Sequence, residues 1–185
     1  MANEVFNLLQ AKSLKVALVS LDAWHNSQDI RFNEINSAQH FYENAFRWEE
    51  LFNSLIIPLK SQKSIRLEAE LIDIKTDNFY SYIYDFQNID IIIIEGIFLF
   101  KEPFIKEYDF KLWLNCSFET TLKRALSRRQ EGLTKEQTIY DYQTTYFPAQ
   151  TIHFKQDNPQ KVASLVIDND LPTKNYDIPL GVHTL

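Results

Sequence analysis

Asp90-Ile91-Ile92-Ile93-Ile94-Glu95-Gly96 is the stretch around which the chain is organised. Its four consecutive isoleucines are too few to span a membrane and too β-branched to favour a helix. A continuous apolar run of this kind, closed by glycine, predicts a strand buried on both faces of a parallel sheet. Glu95 leaves that strand at its carboxyl end, the edge where open α/β sheets bind ligands. A carboxylate there can hold Mg²⁺ directly or through water. It can equally cap a helix or face solvent, and the run alone leaves both readings open.

Upstream, Lys15-Val16-Ala17-Leu18-Val19-Ser20-Leu21 reads as a second buried strand, and Asp22 stands at its end. Asp22 can cap a turn, as Asp often does. It can act as a general base if Glu95 lies on the same sheet edge. Residues 2–12 carry Val5, Leu8 and Leu9 at helical spacing, and an irregular polar stretch fills 27–36. Helical periodicity then runs from Ser37, a candidate N-cap, to about Leu59 through Phe41, Ala45, Trp48, Leu51, Phe52, Leu55 and Ile56. Pro58 and the Ser61-Gln62-Lys63-Ser64 stretch are expected to end it. Phe41, Tyr42 and Phe46 are candidates for lining a substrate pocket, with the core as the better expectation.

Residues 65–86 alternate apolar and polar side chains around turn chemistry at 73–78, which predicts a hairpin with one wet face. Tyr80, Tyr82 and Tyr84 share a face by period-two spacing. Packing is expected for Tyr80 and Tyr82, while Tyr84 could stack on a flat ligand. Downstream, a short helix follows Pro103, and Phe110 to Cys116 forms another strand. Helix 118–130 bears Arg124, Arg128 and Arg129, helix 135–153 follows, and Ala163 to Asp168 is a last strand. Arg124 and Arg128 lie one turn apart, so a solvated face, ion pairs or an anion between them would each account for them.

The chain has 185 residues and a net charge of −6, which argues against broad electrostatic capture of nucleic acid. Its composition, 45% hydrophobic and 24% charged, is that of a soluble globular domain. A lone Cys116 rules out an internal disulfide and fits a reducing compartment. Neither a leader nor a membrane-length apolar segment is visible, so a cytoplasmic location is expected.

Taken in order, SLDAWHN at 20–26, YDF at 84–86, DIIIIEGIFLF at 90–100, LWLNCSFETTLKRALSRRQEG at 112–132, YFPAQTIH at 146–153, DNP at 157–159 and VIDND at 166–170 resemble the uridine kinase and phosphoribulokinase family of P-loop kinases. The resemblance spans roughly Val5 to Asp170. It implies an α/β fold, a three-layer parallel sheet of the P-loop nucleoside kinase type with an inserted β-hairpin at 65–86 and a lid at 124–134, all in one domain over 1–185. It also implies Mg²⁺-assisted transfer of the γ-phosphoryl group of ATP or GTP to a hydroxyl of a small metabolite, with no nucleic-acid or membrane partner and with homo-oligomers as an option. Asp22 resembles the catalytic base, Glu95 the acid that holds magnesium, Tyr84 a base-binding tyrosine, and Arg124, Arg128 and Arg129 the lid arginines. Phe41 and Tyr42 join Tyr84 as substrate-binding candidates.

Three departures bear on function. No histidine follows Asp85-Phe86, and the family's acidic sugar-binding position is occupied by the region of Phe41 and Asn44, so uridine itself is disfavoured as the acceptor. The family's strand, G-x-x-x-x-G-K-[ST] loop and helix is absent, since the first glycine of the chain is Gly96. The opening residues resemble the continuation of the helix that would follow that loop. A start assigned downstream of the true one is expected, and a non-catalytic pseudokinase or binding remnant is the alternative. As written, the chain is expected to lack productive ATP binding and to show a gap at the sheet centre, a substitute strand or poor solubility.

Overall fold

A computed structural model describes residues 1–128 and 133–170 of the chain. The expected α/β architecture is present, with parallel strand pairs, flanking helices and a hairpin. Helix α1 (Ala2–Ala11) leads into β1 (Val16–Ser20), a 3-10 turn (Leu21–Trp24), α2 (Gln28–Arg31) and α3 (Ser37–Asn44). Next come α4 (Trp48–Leu51), a π turn (Phe52–Ile56) and α5 (Ile57–Gln62). The hairpin β2 (Ile65–Asp73) and β3 (Asn78–Phe86) precedes β4 (Ile91–Glu95), a 3-10 turn (Phe104–Glu107) and β5 (Leu112–Asn115). The chain continues through α6 (Phe118–Arg128), α7 (Lys135–Asp141), a π turn (Tyr142–Tyr146), α8 (Phe147–Gln156), α9 (Pro159–Val162) and β6 (Leu165–Asp168).

Among the described residues the strands form three separate pairs. β1 runs parallel to β4, from Val16 opposite Ile91 to Ser20 opposite Glu95. β5 runs parallel to β6, and β2 pairs antiparallel with β3, from Ile65 opposite Phe86 to Asp73 opposite Asn78. β4 therefore has one hydrogen-bonded neighbour. Full burial of the isoleucine run is not reached; every residue of β4 is half-buried. The cause is the pairing: a strand bonded along one edge keeps its other edge open.

Local periodicity misjudged three places. The helix expected over 37–59 breaks at 45–47, because that segment pairs with 24–26: His25 bridges Phe46, the Asn26 N–H donates to the Ala45 carbonyl at 2.9 Å, and the Arg47 N–H donates to the Trp24 carbonyl at 2.8 Å. Pro58 does not stop the chain's helical path. The π turn before it widens the ladder where the missing N–H and bulky ring would clash, and Pro148 repeats the arrangement. Asn36, in the left-handed region, is the N-cap position of α3, and the Ser37 hydroxyl donates instead to the Thr144 carbonyl.

The core gathers around Trp24, Leu51, Phe52 and Leu55, all fully buried, with Phe41, Tyr42, Phe46 and Phe98 beside them. At roughly 1.5–3 kcal/mol for each fully buried large apolar side chain, this cluster is the main stabilising mass of the molecule. α1 contributes little to it. None of its residues is buried, and Leu8 is 65% exposed.

Candidate functional site

The site forms where β1 and β4 end together. Ser20 lies opposite Glu95, so the turn that follows β1 carries Asp22 to the same carboxyl edge as Glu95. Leu21 and Trp24 anchor that turn from below, each with no exposed surface, which leaves Asp22 between them facing outward. Trp24 stacks on Tyr84 and donates its indole N–H to the Tyr84 hydroxyl at 3.2 Å. The His25 ring nitrogen Nδ1 lies 2.8 Å from the Asp22 carbonyl, where a neutral imidazole donates its N–H.

Glycine is required at the next position along β4. Gly96 sits at φ +154, and a Cβ there would lie 2.6 Å from the Leu21 Cβ. The exit of β4 and the Asp22 turn are therefore in direct contact.

Asp22 opens into a recess of 570 Å³ whose other wall is the hairpin turn, with Ala23, Asp73, Thr76, Asn78, Phe79 and Tyr80 on its lining. Asp22 is exposed at the mouth, yet the surrounding protein desolvates its carboxyl enough to raise its pKa, an effect opposed by the charge of Arg128. Its carboxylate takes no hydrogen bond from the described residues. Glu95 is half-buried and likewise makes no hydrogen bond or ion pair among them.

The arginines divide. Arg124 is engaged at the ends of β5 and β6, donating to the Asn169 carbonyl at 2.6 Å and to the Cys116 sulfur at 3.5 Å. Arg128 is exposed, without a hydrogen bond or ion pair among the described residues, and its field reaches Asp22. Arg129 lies outside the described residues.

Phe41, Tyr42 and Tyr84 are not brought to the recess. Phe41 is 3% exposed and packs against Phe32, Phe98 and Tyr146. The Tyr42 hydroxyl donates to the Asp157 carboxylate, which also binds Nδ1 of buried His153 at 2.6 Å. Tyr84 is buried under Trp24. Of the tyrosine ladder, Tyr80 and Tyr82 are 45% and 47% exposed, and Tyr80 reaches the recess. Asp73, Thr76, Asn78 and Phe79 were read only as turn and strand residues, since nothing in local sequence says which part of the sheet a turn will face.

One carboxylate suffices for magnesium, which keeps most of its waters and binds through one or two acids plus phosphate oxygens. Glu95, free and at the sheet edge, fits that requirement. No group of three or more His, Cys, Asp or Glu among the described residues could cage a metal. For a nucleotide, arginines are present, whereas a glycine-rich nest for the phosphates is absent from the sequence. No helix among the described residues is long and apolar enough to cross a membrane.

No family model matches the chain. A uridine kinase from Clostridium botulinum (strain Okra / Type B1) is 25% identical over 166 residues, covering 86% of this chain and 76% of that protein. A structure assigned as a possible uridine kinase from Bacillus stearothermophilus superimposes with a TM-score of 0.71 at 21% identity, over 90% of this chain and 79% of the other. One assigned as a fructose transport system kinase from Silicibacter sp. TM1040 gives 0.65 at 21% identity, over 90% and 81%.

Proposed function

Starting from a chain that is uridine kinase-like in sequence and P-loop-kinase-like in fold, we propose that it carries the acceptor, metal and lid groups of a uridine kinase-like phosphotransferase. The reaction would move the γ-phosphoryl group of ATP or GTP to a hydroxyl of a small metabolite. One observation supports this most: two carboxylates without a partner among the described residues, Asp22 and Glu95, at one sheet edge, with the Arg128 charge acting on the first.

Asp22 orients the acceptor hydroxyl and takes its proton; a carboxyl pKa raised by desolvation makes it a better base than a solvated Asp. Glu95 would hold magnesium through its water shell, and the bound ion would supply charge neutralisation at the transferring oxygens. Arg128 and Arg129, on the 124–134 lid, meet the phosphates, and Arg124 anchors that lid at the ends of β5 and β6. The acceptor sits in the recess against Phe79 and Tyr80. Tyr84 acts on it through Trp24, and Phe41 and Tyr42 support the site from the core. The unit is one domain over 1–185, cytoplasmic and directed at small molecules.

The donor side is incomplete in these 185 residues, which contain no G-x-x-x-x-G-K-[ST] loop. Without backbone N–H groups and a lysine to receive the phosphates, productive ATP binding is not expected. Calorimetric titration with Mg·ATP tests this, run on the chain and on a front-extended protein in which a strand and Gly-rich loop precede it. Binding and transfer by the extended protein alone are expected. Micromolar ATP binding by the 185-residue chain would overturn the donor reading. The same absence favours a second reading, a non-catalytic protein that binds a metabolite or partner. An in-frame stop in the DNA just upstream of Met1 would support it, and an in-frame GK[ST] segment the first.

A further inference from the structure

Arg47 sits at the break between α3 and α4, and its side chain is only 14% exposed. A guanidinium this enclosed normally answers to a buried carboxylate. Its one acidic partner, Glu50 at 2.8 Å, is itself 46% exposed at the rim. The remaining donors go to main chain on two different elements. Nε donates to the His25 carbonyl at 3.3 Å, and Nη2 donates to the Glu70 carbonyl of β2. The Arg47 backbone N–H adds the bond to Trp24 already described.

The planar face is shared in the same way. The guanidinium carbon lies 5.3 Å from the Trp24 ring centre and 5.4 Å from that of Phe79, within the range of cation–π attraction. Trp24 belongs to the turn that carries Asp22, and Phe79 lines the recess from the hairpin. These two elements are separate in sequence, and no backbone pairing joins the turn to β3. Trp24 meets Tyr84 deeper in the fold, Asp77 at the hairpin tip holds Gln28 and Arg31, and Arg47 alone among these ties touches a recess-lining side chain, Phe79. We propose that Arg47 is the positioning residue of the Asp22 recess, holding the Leu21–Trp24 turn and the β2–β3 hairpin at a fixed separation and so setting the width of the opening between them. A lysine could not replace it, because an ammonium has neither the planar faces nor the fork that reaches two carbonyls at once. The bearing of this width on acceptor choice rests on the reading of the recess as the acceptor site. The clamp itself does not.

The test uses the 185-residue chain with Arg47→Met, Arg47→Lys and Phe79→Leu, the last a change at a residue 46% exposed that leaves the core intact. Hydrogen exchange is expected to speed up about tenfold at the amides of residues 24–26 and of the hairpin together in both Arg47 variants, with β5 and β6 unchanged. Phe79→Leu is expected to loosen residues 24–26 across the recess by about threefold. Carbon-detected NMR titration of the Asp22 carboxyl adds a readout that a purely structural role would not move. As the walls part and water enters, its raised pKa falls in both Arg47 variants, with Asp73 on the recess lining and the charge of Arg128 still acting on Asp22. Loosening of one wall only, wild-type behaviour of Arg47→Lys, or an unmoved Asp22 titration would each overturn the proposal. Failure of the kinase reading would appear instead as absent transfer by the front-extended protein, with these three readouts unaffected.

Discussion

Two aromatic regions of this molecule use the same residue types to opposite ends. Around Phe41, Tyr42 and Phe98 the rings enclose polar groups that answer one another: the Tyr42 hydroxyl and the His153 imidazole both bond to Asp157, and Lys101 donates to the Tyr42 carbonyl at 2.8 Å. Around Asp22 the rings of Phe79 and Tyr80 border an opening, and the carboxylate lines it without a partner among the described residues. In the first region the Asp157 carboxylate is answered by two donors, which stabilises and specifies a core, although His153 Nε2 has no partner among the described residues. A polar group left unanswered at a sheet edge is available for chemistry. Counting aromatics could not separate these regions; asking what each carboxylate is bonded to does, since Asp157 takes two hydrogen bonds and Asp22 none from the described residues.

The sharpest way to break the comparison is Asp22→Asn. In the front-extended protein, turnover is expected to fall by roughly 10²–10⁴-fold for loss of a general base, with acceptor binding much less affected. Stability should move the other way. The folded carboxyl has a raised pKa, so its favourable contribution is present below the unfolded pKa and is lost as pH rises through the folded value. At neutral pH the protein carries a desolvated charge that Asn removes. The melting temperature of Asp22→Asn should therefore rise at pH 7. A variant with unchanged turnover would remove Asp22 from the chemistry, and one that melts lower would show its carboxylate to be structurally paired.

Phe41→Ala examines the closed region. Truncating a ring that is 3% exposed should destabilise the fold by about 3–5 kcal/mol, measured by denaturant unfolding. The Asp22 recess should keep its ligand affinity in the fraction that remains folded. If instead affinity collapses while stability falls by less than about 1 kcal/mol, Phe41 lines an acceptor pocket and the two regions are one.

His25 links them, and pH reads the link. Burial holds its pKa down to about 4, against 6.5 for a free imidazole, so the folded protein keeps it neutral. Stability is full above the unfolded pKa and is lost as pH falls from 6.5 toward about 4. The difference amounts to about 3.5 kcal/mol at most, at 1.4 kcal/mol per unit. His153, also shifted down by burial, adds a slope of the same sign. Between pH 7 and about 4.5, the unfolding free energy of wild type should therefore fall relative to that of His25→Phe as pH falls. Parallel curves would mean that His25 is protonated without cost.

Much of this frame was legible beforehand, for reasons that are local. A β-branched run ending in glycine has few alternatives to a strand, and the alternation at 65–86 has few alternatives to a hairpin. Asp22 and Glu95 followed because each closes such a strand. The recess was not legible, because its second wall comes from a hairpin turn whose orientation is fixed by Arg47, Asp77 and their bonds across the fold. The break at 45–47 stayed hidden for the same reason: its hydrogen bonds go to residues about twenty positions away, which helical spacing cannot register. The half-burial of Ile91 to Ile94 depends on how many strands flank β4, a property of the sheet and not of the run.

Arg128→Ala is the smallest change and the most discriminating. The side chain is exposed and has no partner among the described residues, so unfolding free energy should stay within about 0.5 kcal/mol of wild type, the range of ordinary surface substitutions. Its charge lowers the Asp22 pKa, so its removal should let that pKa rise further, which a carbon-detected NMR titration of the Asp22 carboxyl follows in the 185-residue chain itself. In the front-extended protein, turnover should fall on the order of tenfold or more, since the lost cation faces phosphate oxygens during transfer. The three readouts together decide what the residue does. A stability loss with an unmoved Asp22 titration would make Arg128 an ion-pair residue of α6. A raised Asp22 pKa with unchanged turnover would leave it a neighbour of the base that meets no phosphate. Only a preserved fold, a shifted base and a slower transfer would join the lid to the open region rather than to the closed one.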